Sequence, residues 1–217
     1  MLRAIGLAAA AALLAGCTVF GIRSGTEEPP YRELARLAGG VEVRAYEPRL
    51  YAEATAPADA SSPRNAAFRK LFRYITGANR TQAEIAMTIP VETDDPAAAG
   101  EEIAMTAPVE TAQGDGAMSM RFFLPADMTL ETAPQPTDPA VRIGRLAPQT
   151  MAVLRFSGST RESRVAARKR DLMRAVEAAA DWRAAGAPTA YFYDPPWTLP
   201  FVKRNEVAVP VERTGAE

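Results

Sequence analysis

The decapeptide Glu84–Thr93, EIAMTIPVET, returns eighteen positions later at Glu102–Thr111 as EIAMTAPVET, with only Ile89 exchanged for Ala107. A duplication this close demands a fold with two equivalent settings for one short segment. Each copy carries Ile-Ala-Met-Thr and then a proline, which has no N–H to give to a sheet ladder, so each reads as a strand that ends at an edge or bulge. The two copies predict an antiparallel hairpin across the polar, turn-rich connection 94–101, with Met87 and Met105 in matching positions.

The chain of 217 residues contains no histidine. That removes Ser/His and Cys/His nucleophile arrangements, imidazole-ligated zinc, and the side chain best suited to proton transfer near neutral pH. No nucleotide loop, nucleophile elbow or metal-ligand cluster stands out either. The sequence therefore points away from an enzyme and towards binding, with no metal site built on histidine.

The one cysteine, Cys17, closes an apolar run that opens after Arg3. Ala4 to Leu14 is too short for the roughly 20 residues of a membrane span, and with the basic start and following small residues it reads as an export signal. Leu14-Ala15-Gly16-Cys17 resembles a bacterial lipobox, which implies cleavage after residue 16 and acylation of the Cys17 sulfur; several acyl chains anchor stably where one does not. The alternative is a plain secretory signal ending beside an ordinary buried thiol. Thr18, rather than an inner-membrane retention aspartate, directs the expectation to the outer membrane, facing the periplasm.

Residues 17–30 then read as the lipidated cysteine and a tether of at most ~45 Å when extended. Residues 31–213 fit one domain, and 214–217 form a short tail. Loss of Arg3 with the signal changes 25 basic and 26 acidic residues to 24 and 26, a net charge of about −2. Such a balance offers no general attraction to nucleic acid.

Apolar alternation predicts strands at 41–45, 50–54, 118–124, 151–156, 190–193 and 206–211. A helix is predicted after Ser61-Ser62-Pro63, ending near Gly77, with Ala67, Phe68, Leu71, Phe72 and Ile75 as an apolar stripe beside Arg64, Arg69, Lys70 and Arg73. A second is predicted from about Arg161 to Asp181, capped by Ser159 or Thr160, burying Val165, Leu172, Met173, Val176 and Ala180. The order of strands and helices suggests two similar halves of α+β class with largely antiparallel pairing.

Several segments, in this order, resemble the SOUL haem-binding family: the doubled Ile-Ala-Met-Thr-x-Pro-Val, the strand Met120–Pro125, Val153–Gly158, and Tyr193–Pro200 followed by Arg204-Asn205-Glu206. The resemblance covers the chain from Tyr31 onward. It implies a distorted eight-stranded barrel with two flanking helices and pseudo-twofold halves, binding haem or a related tetrapyrrole non-covalently. Carried over to this chain, it assigns the apolar wall to Phe68, Leu71 and Phe72 and the propionate cations to Arg64 and Arg73. Where an axial histidine has been proposed for relatives this chain has none, so iron would take Met, Tyr or water, or no protein ligand. Met87, Met105, Met118 and Met120, with Tyr74, Tyr191 and Tyr193, are the available donors, although methionines on strands more often fill core gaps.

A second reading stays open. A similar duplicated fold serves bacterial modules that bind amphipathic drugs or regulatory ligands against a buried carboxylate, for which Glu92, Glu110 or Glu206 would serve here. A structural lipoprotein without haem is the remaining alternative.

Overall fold

Alternating apolar residues on nearly every strand give the chain two-faced ribbons, and a sheet of such ribbons must be covered on its apolar side. The computed structural model describes residues 27–57, 59–81, 85, 91–94, 117–194 and 198–215. Within them lie ten strands: β1 (Tyr31–Arg36), β2 (Glu42–Tyr46), β3 (Arg49–Pro57), β4 (Val91–Asp94), β5 (Ala117–Phe123), β6 (Val141–Leu146), β7 (Gln149–Phe156), β8 (Trp182–Ala184), β9 (Thr189–Phe192) and β10 (Asn205–Arg213). Two helices, α1 (Pro63–Ile75) and α2 (Glu162–Glu177), follow β3 and β7.

All ladders are antiparallel, in the order β1-β2-β7-β10-β9-β4-β5-β3-β6, with β8 on the far part of β10. The α+β class and the two helices are as the sequence predicts, but the described strands number ten rather than eight. Their pairing is an open path, curled like half a barrel, and no closing ladder joins β1 to β6 among the described residues.

The halves obey a pseudo-twofold. β2, β3, α1, β4 and β5 correspond in order to β6, β7, α2, β9 and β10, with Pro48 and Pro148 in the two equivalent turns. Under that exchange β3·β5 becomes β7·β10, β4·β5 becomes β9·β10, and β4·β9 maps onto itself. Apart from β1 on its outer edge, β2 pairs with no strand of its own half: it adds to β7, as β6 adds to β3, in matching register (Val43 with Ala152, Ile143 with Ala52).

The hairpin expected between the two copies of the decapeptide lies outside the described residues. The described strand of the first copy comes after Pro90, at Val91–Asp94, and Val91 to Thr93 pair on one side with β5 and on the other with β9. Both ladder edges of Val91–Thr93 are thus taken; the second copy lies outside the described residues along with Met87, Met105 and Glu110.

Both helices cover one face of the sheet. Ala67, Leu71, Tyr74 and Ile75 of α1 pack on Ala52, Ala54, Met118, Met120 and Phe122. Val165, Leu172 and Val176 of α2 pack on Val43, Ala152, Phe156, Val207 and Val209. Ser62 precedes α1 but makes no side-chain cap, and the start is set by Pro63 with its fixed φ. At the other end the Thr76 hydroxyl donates to the Phe72 carbonyl at 2.8 Å, and Gly77 takes φ 105°, where a side chain would be strained. α2 stops at Glu177, four residues short of the expected end, so Ala180 is exposed outside it.

The opposite face carries Tyr46, Phe123, Met151, Val153, Tyr191, Tyr193 and Ala208, with polar groups set among them. The Glu27 carboxylate accepts from the Ala126 amide at 2.8 Å and Glu28 pairs with Arg204 at 2.9 Å, so residues 27–30 already lie against the domain.

Candidate functional site: an aromatic seam between the helices

α1 packs over β3, β5 and β6, and α2 over β7, β8 and β10. The sheet order places the β4·β9 seam between those footprints, on the pseudo-twofold itself. Period-two alternation turns Val91 and Phe192, cross-strand partners in that seam, to the helix side, where both stay half-buried.

The α1 stripe predicted from sequence splits in two. Ala67 and Leu71 are fully buried, whereas Phe68 is 37 % and Phe72 44 % exposed. Spacing of four residues brings those two rings together on the helix surface, with centroids 5.9 Å apart and planes only 15° from parallel. Phe68 also meets Phe122 of β5 edge-on at 5.5 Å, which fixes its inner side against the sheet. Leu71, assigned by the family resemblance to the ligand wall, instead belongs to the helix–sheet core: its position on the wheel points it beneath the helix.

The two predicted cations differ. Arg64 places its guanidinium 4.9 Å from the centre of the Phe192 ring, so it bridges α1 and the seam. Arg73 is 67 % exposed and meets Asp138 at 3.4 Å, a surface pair worth at most about 1 kcal/mol and easily exchanged for another anion. Phe68, Phe72 and Arg64 are therefore brought together, with Arg73 one turn along and Leu71 excluded. Phe122, Phe192 and Val91 were missed by sequence reasoning. Alternation in 190–193 signals an outward Phe192, but only the ladder order shows that it lies beside α1.

The described iron-ligand candidates are all committed elsewhere. Met118 and Met120 are buried beneath α1. The Tyr74 hydroxyl donates to the Pro134 carbonyl at 2.8 Å, and burial pushes its pKa up to about 12. Tyr191 and Tyr193 lie on the opposite face.

That opposite face holds a buried ion network centred on Glu206, which has no exposed surface. One carboxylate oxygen accepts from Arg204 Nη2 at 2.9 Å, Arg204 Nε at 3.2 Å and Arg44 Nη2 at 3.3 Å. The other accepts from Arg44 Nη1 at 3.0 Å and Tyr193 Oη at 2.5 Å. Burial alone would raise the Glu206 pKa, but the Arg44 charge, the Tyr193 hydroxyl and Arg204 together bring it below the ordinary value. Burial lifts Tyr193 well above 10, reinforced by the Glu206 charge, so it remains a neutral donor. A carboxylate so saturated cannot also receive a cationic ligand, and this removes Glu206 from the second reading. Glu92 lies in β4, opposite Arg121 and Tyr191 in the two backbone ladders.

The molecule is thus a two-helix, duplicated antiparallel sheet with aromatic side chains gathered beside its twofold seam. The sequence matches the family model for the SOUL heme-binding protein across residues 26–210, and the chain belongs to that haem-binding family. Among curated proteins none matches it significantly. Solved structures share the fold at low identity. The C-terminal domain of EcmrR has a TM-score of 0.54 at 13 % identity, covering 85 % of this chain and 99 % of that one. EcmrR in an EcmrR–DNA complex gives 0.55 at 13 % identity, covering 80 % of this chain and 57 % of that one. A hydrolase encoded by lin2189 from Listeria innocua gives 0.50 at 9 % identity, covering 79 % and 91 %.

Proposed function

We propose that this protein binds haem or a related tetrapyrrole non-covalently on the seam between α1 and β4·β9, and performs no turnover. The observation that carries the reading is the pair of near-parallel, half-exposed rings of Phe68 and Phe72 beside half-buried Phe192 and Val91, with Arg64 at the junction. A porphyrin needs apolar walls and one or two cations for its propionates, and the residues present fit both demands. Covering several hundred Å² at ~25 cal/mol per Å² yields several kcal/mol before ordering costs, enough for binding without a bond to iron. Bound there, the group would be held by Phe68, Phe72 and Phe192, with Arg64 and Arg73 for its carboxylates.

The lipobox-like Leu14–Cys17 supports an exported lipoprotein anchored through Cys17, in the outer membrane and facing the periplasm, that carries, buffers or senses the ligand. Fatty-acid label incorporated by the wild type should be lost in Cys17→Ala, and retained label would overturn lipidation at this thiol.

Titration of the chain from Thr18 onward with hemin and with iron-free protoporphyrin tests the ligand and its site. Comparable affinities are expected, read from the Soret band and tryptophan quenching. The double variant Phe68→Ser/Phe72→Ser should weaken both by about tenfold or more, since each ring that is removed forfeits about 1 kcal/mol of stacking on the porphyrin. Arg73→Glu should weaken hemin more than Arg168→Glu on α2; equal effects would discard the α1 face.

A further inference from the structure

A cleft of about 430 Å³ lies away from α1 and the seam, between residues 27–30, the β2–β3 turn and the segment after β5. Its size is that of a small-molecule site. The floor is Arg49, Leu50, Phe123 and Leu124, all buried, and Pro29, Met128 and Leu130 add apolar wall.

Arg49 is the unusual member. Only 7 % of it is exposed, yet no carboxylate pairs with it among the described residues, while the nearby Arg44 and Arg204 share Glu206. Its guanidinium lies against the Tyr46 and Phe123 rings, 4.3 and 4.9 Å from their centres, and Nη2 donates to Gln149 at 2.9 Å. Nε–H is buried without a partner. A void of about 10 Å³ beside it has room for one water, and the one carboxylate lining that void, Glu28, is paired with Arg204. With two rings against it and Arg49 lining the cleft, the planar edge of the group is what can receive a carboxylate there.

The cleft mouth has the opposite sign. Glu27, Glu47 and Glu131 line it and are exposed, against the single cation Arg145. A simple anion would be repelled on entry, and a simple cation would meet Arg49 within. We infer that the cleft is a binding site for a small apolar zwitterion, an amino acid or short peptide, with its carboxylate on Arg49, its side chains on Leu50 and Met128, and its ammonium among the mouth glutamates. This site is independent of the tetrapyrrole reading, since none of its residues lies on α1, β4 or β9.

The test is a calorimetric titration of the chain from Thr18 onward with leucyl-leucine, N-acetyl-leucyl-leucine and leucyl-leucinamide, up to about 10 mM. The free dipeptide should bind saturably, and removal of either charge should cost about tenfold or more. Arg49→Lys, which keeps the charge but loses the Nε donor, should weaken the dipeptide by a similar factor. Glu47→Gln, at an exposed position that leaves folding intact, should weaken the dipeptide while leaving the acetylated form unchanged. No saturable binding, equal binding of the acetylated and free forms, or wild-type affinity in Glu47→Gln would each overturn the assignment.

Discussion

Glu206 holds a negative charge where no solvent reaches it, and it is tolerated because five donor atoms from three side chains fill its lone pairs. Glu206→Gln would remove the buried counter-charge that Arg44 and Arg204 share, leaving each only its more exposed partner, Glu42 or Glu28, and should cost about 3–5 kcal/mol in denaturant unfolding. The sign of the pH effect follows from the depressed carboxyl. Its stabilisation is fully present above the unfolded value of 4.5 and is lost as pH falls through the lower folded value. Stability of the wild type should therefore drop on acidification below about pH 4.5, and urea midpoints measured from pH 7 to 3 should show a flatter acid limb in Glu206→Gln. Sequence reading offered Glu206 as a carboxylate for a cationic ligand, whereas in the structure it serves the fold, and beside the ion network Asn205 Nδ2 donates to the Gly158 carbonyl at 3.2 Å. It did not reveal Arg44 as the partner, because that pairing joins residues 162 positions apart.

Elements were legible wherever one face is buried and the alternation is clean. β3 was found by that alternation, β7 and β10 by apolar stretches that the structure buries on both faces, and Val165, Leu172 and Val176 of α2 by helical spacing. β1, with no fully buried residue, and the three-residue β8 gave no such signal. β6 was missed for a further reason: Gly144 interrupts its pattern. That glycine faces Tyr51 across the ladder, and a Cβ there would fall on the phenol Cζ and Oη. The ring has little freedom to withdraw, since the Arg121 guanidinium lies 4.8 Å from its centre on the neighbouring strand. Gly144→Ala should lower stability by about 1–3 kcal/mol through overpacking, and Gly144→Ala/Tyr51→Ala should recover part of it in thermal melts. At the candidate site, α1 and its cations were readable from helical spacing. Which rings point out was not, because Phe68 and Leu71 differ by less than a turn and only the sheet beneath decides between them.

At the scale of the molecule, the two halves are interlocked by exchange: β2 completes the second half and β6 the first. Neither half holds its own full set of strands. Residues 27–137 and 138–215 expressed separately should show no cooperative unfolding transition, whereas co-expression should restore a folded complex with the far-ultraviolet spectrum of the intact chain; a cooperative isolated half would contradict the exchange. Duplication was visible in the sequence through the repeated decapeptide, yet that repeat lies within the first half and does not relate the halves to one another. Their true correspondence, Pro48 with Pro148, leaves almost no identity to detect. The exchange also bears on ancestry. A progenitor with a single half could have satisfied its orphaned ladder only by swapping strands with a second copy, so its folding would have depended on concentration. Joining two copies in tandem replaces that mass-action requirement with a fixed effective molarity, and lets one side of the former homodimer drift independently of the other.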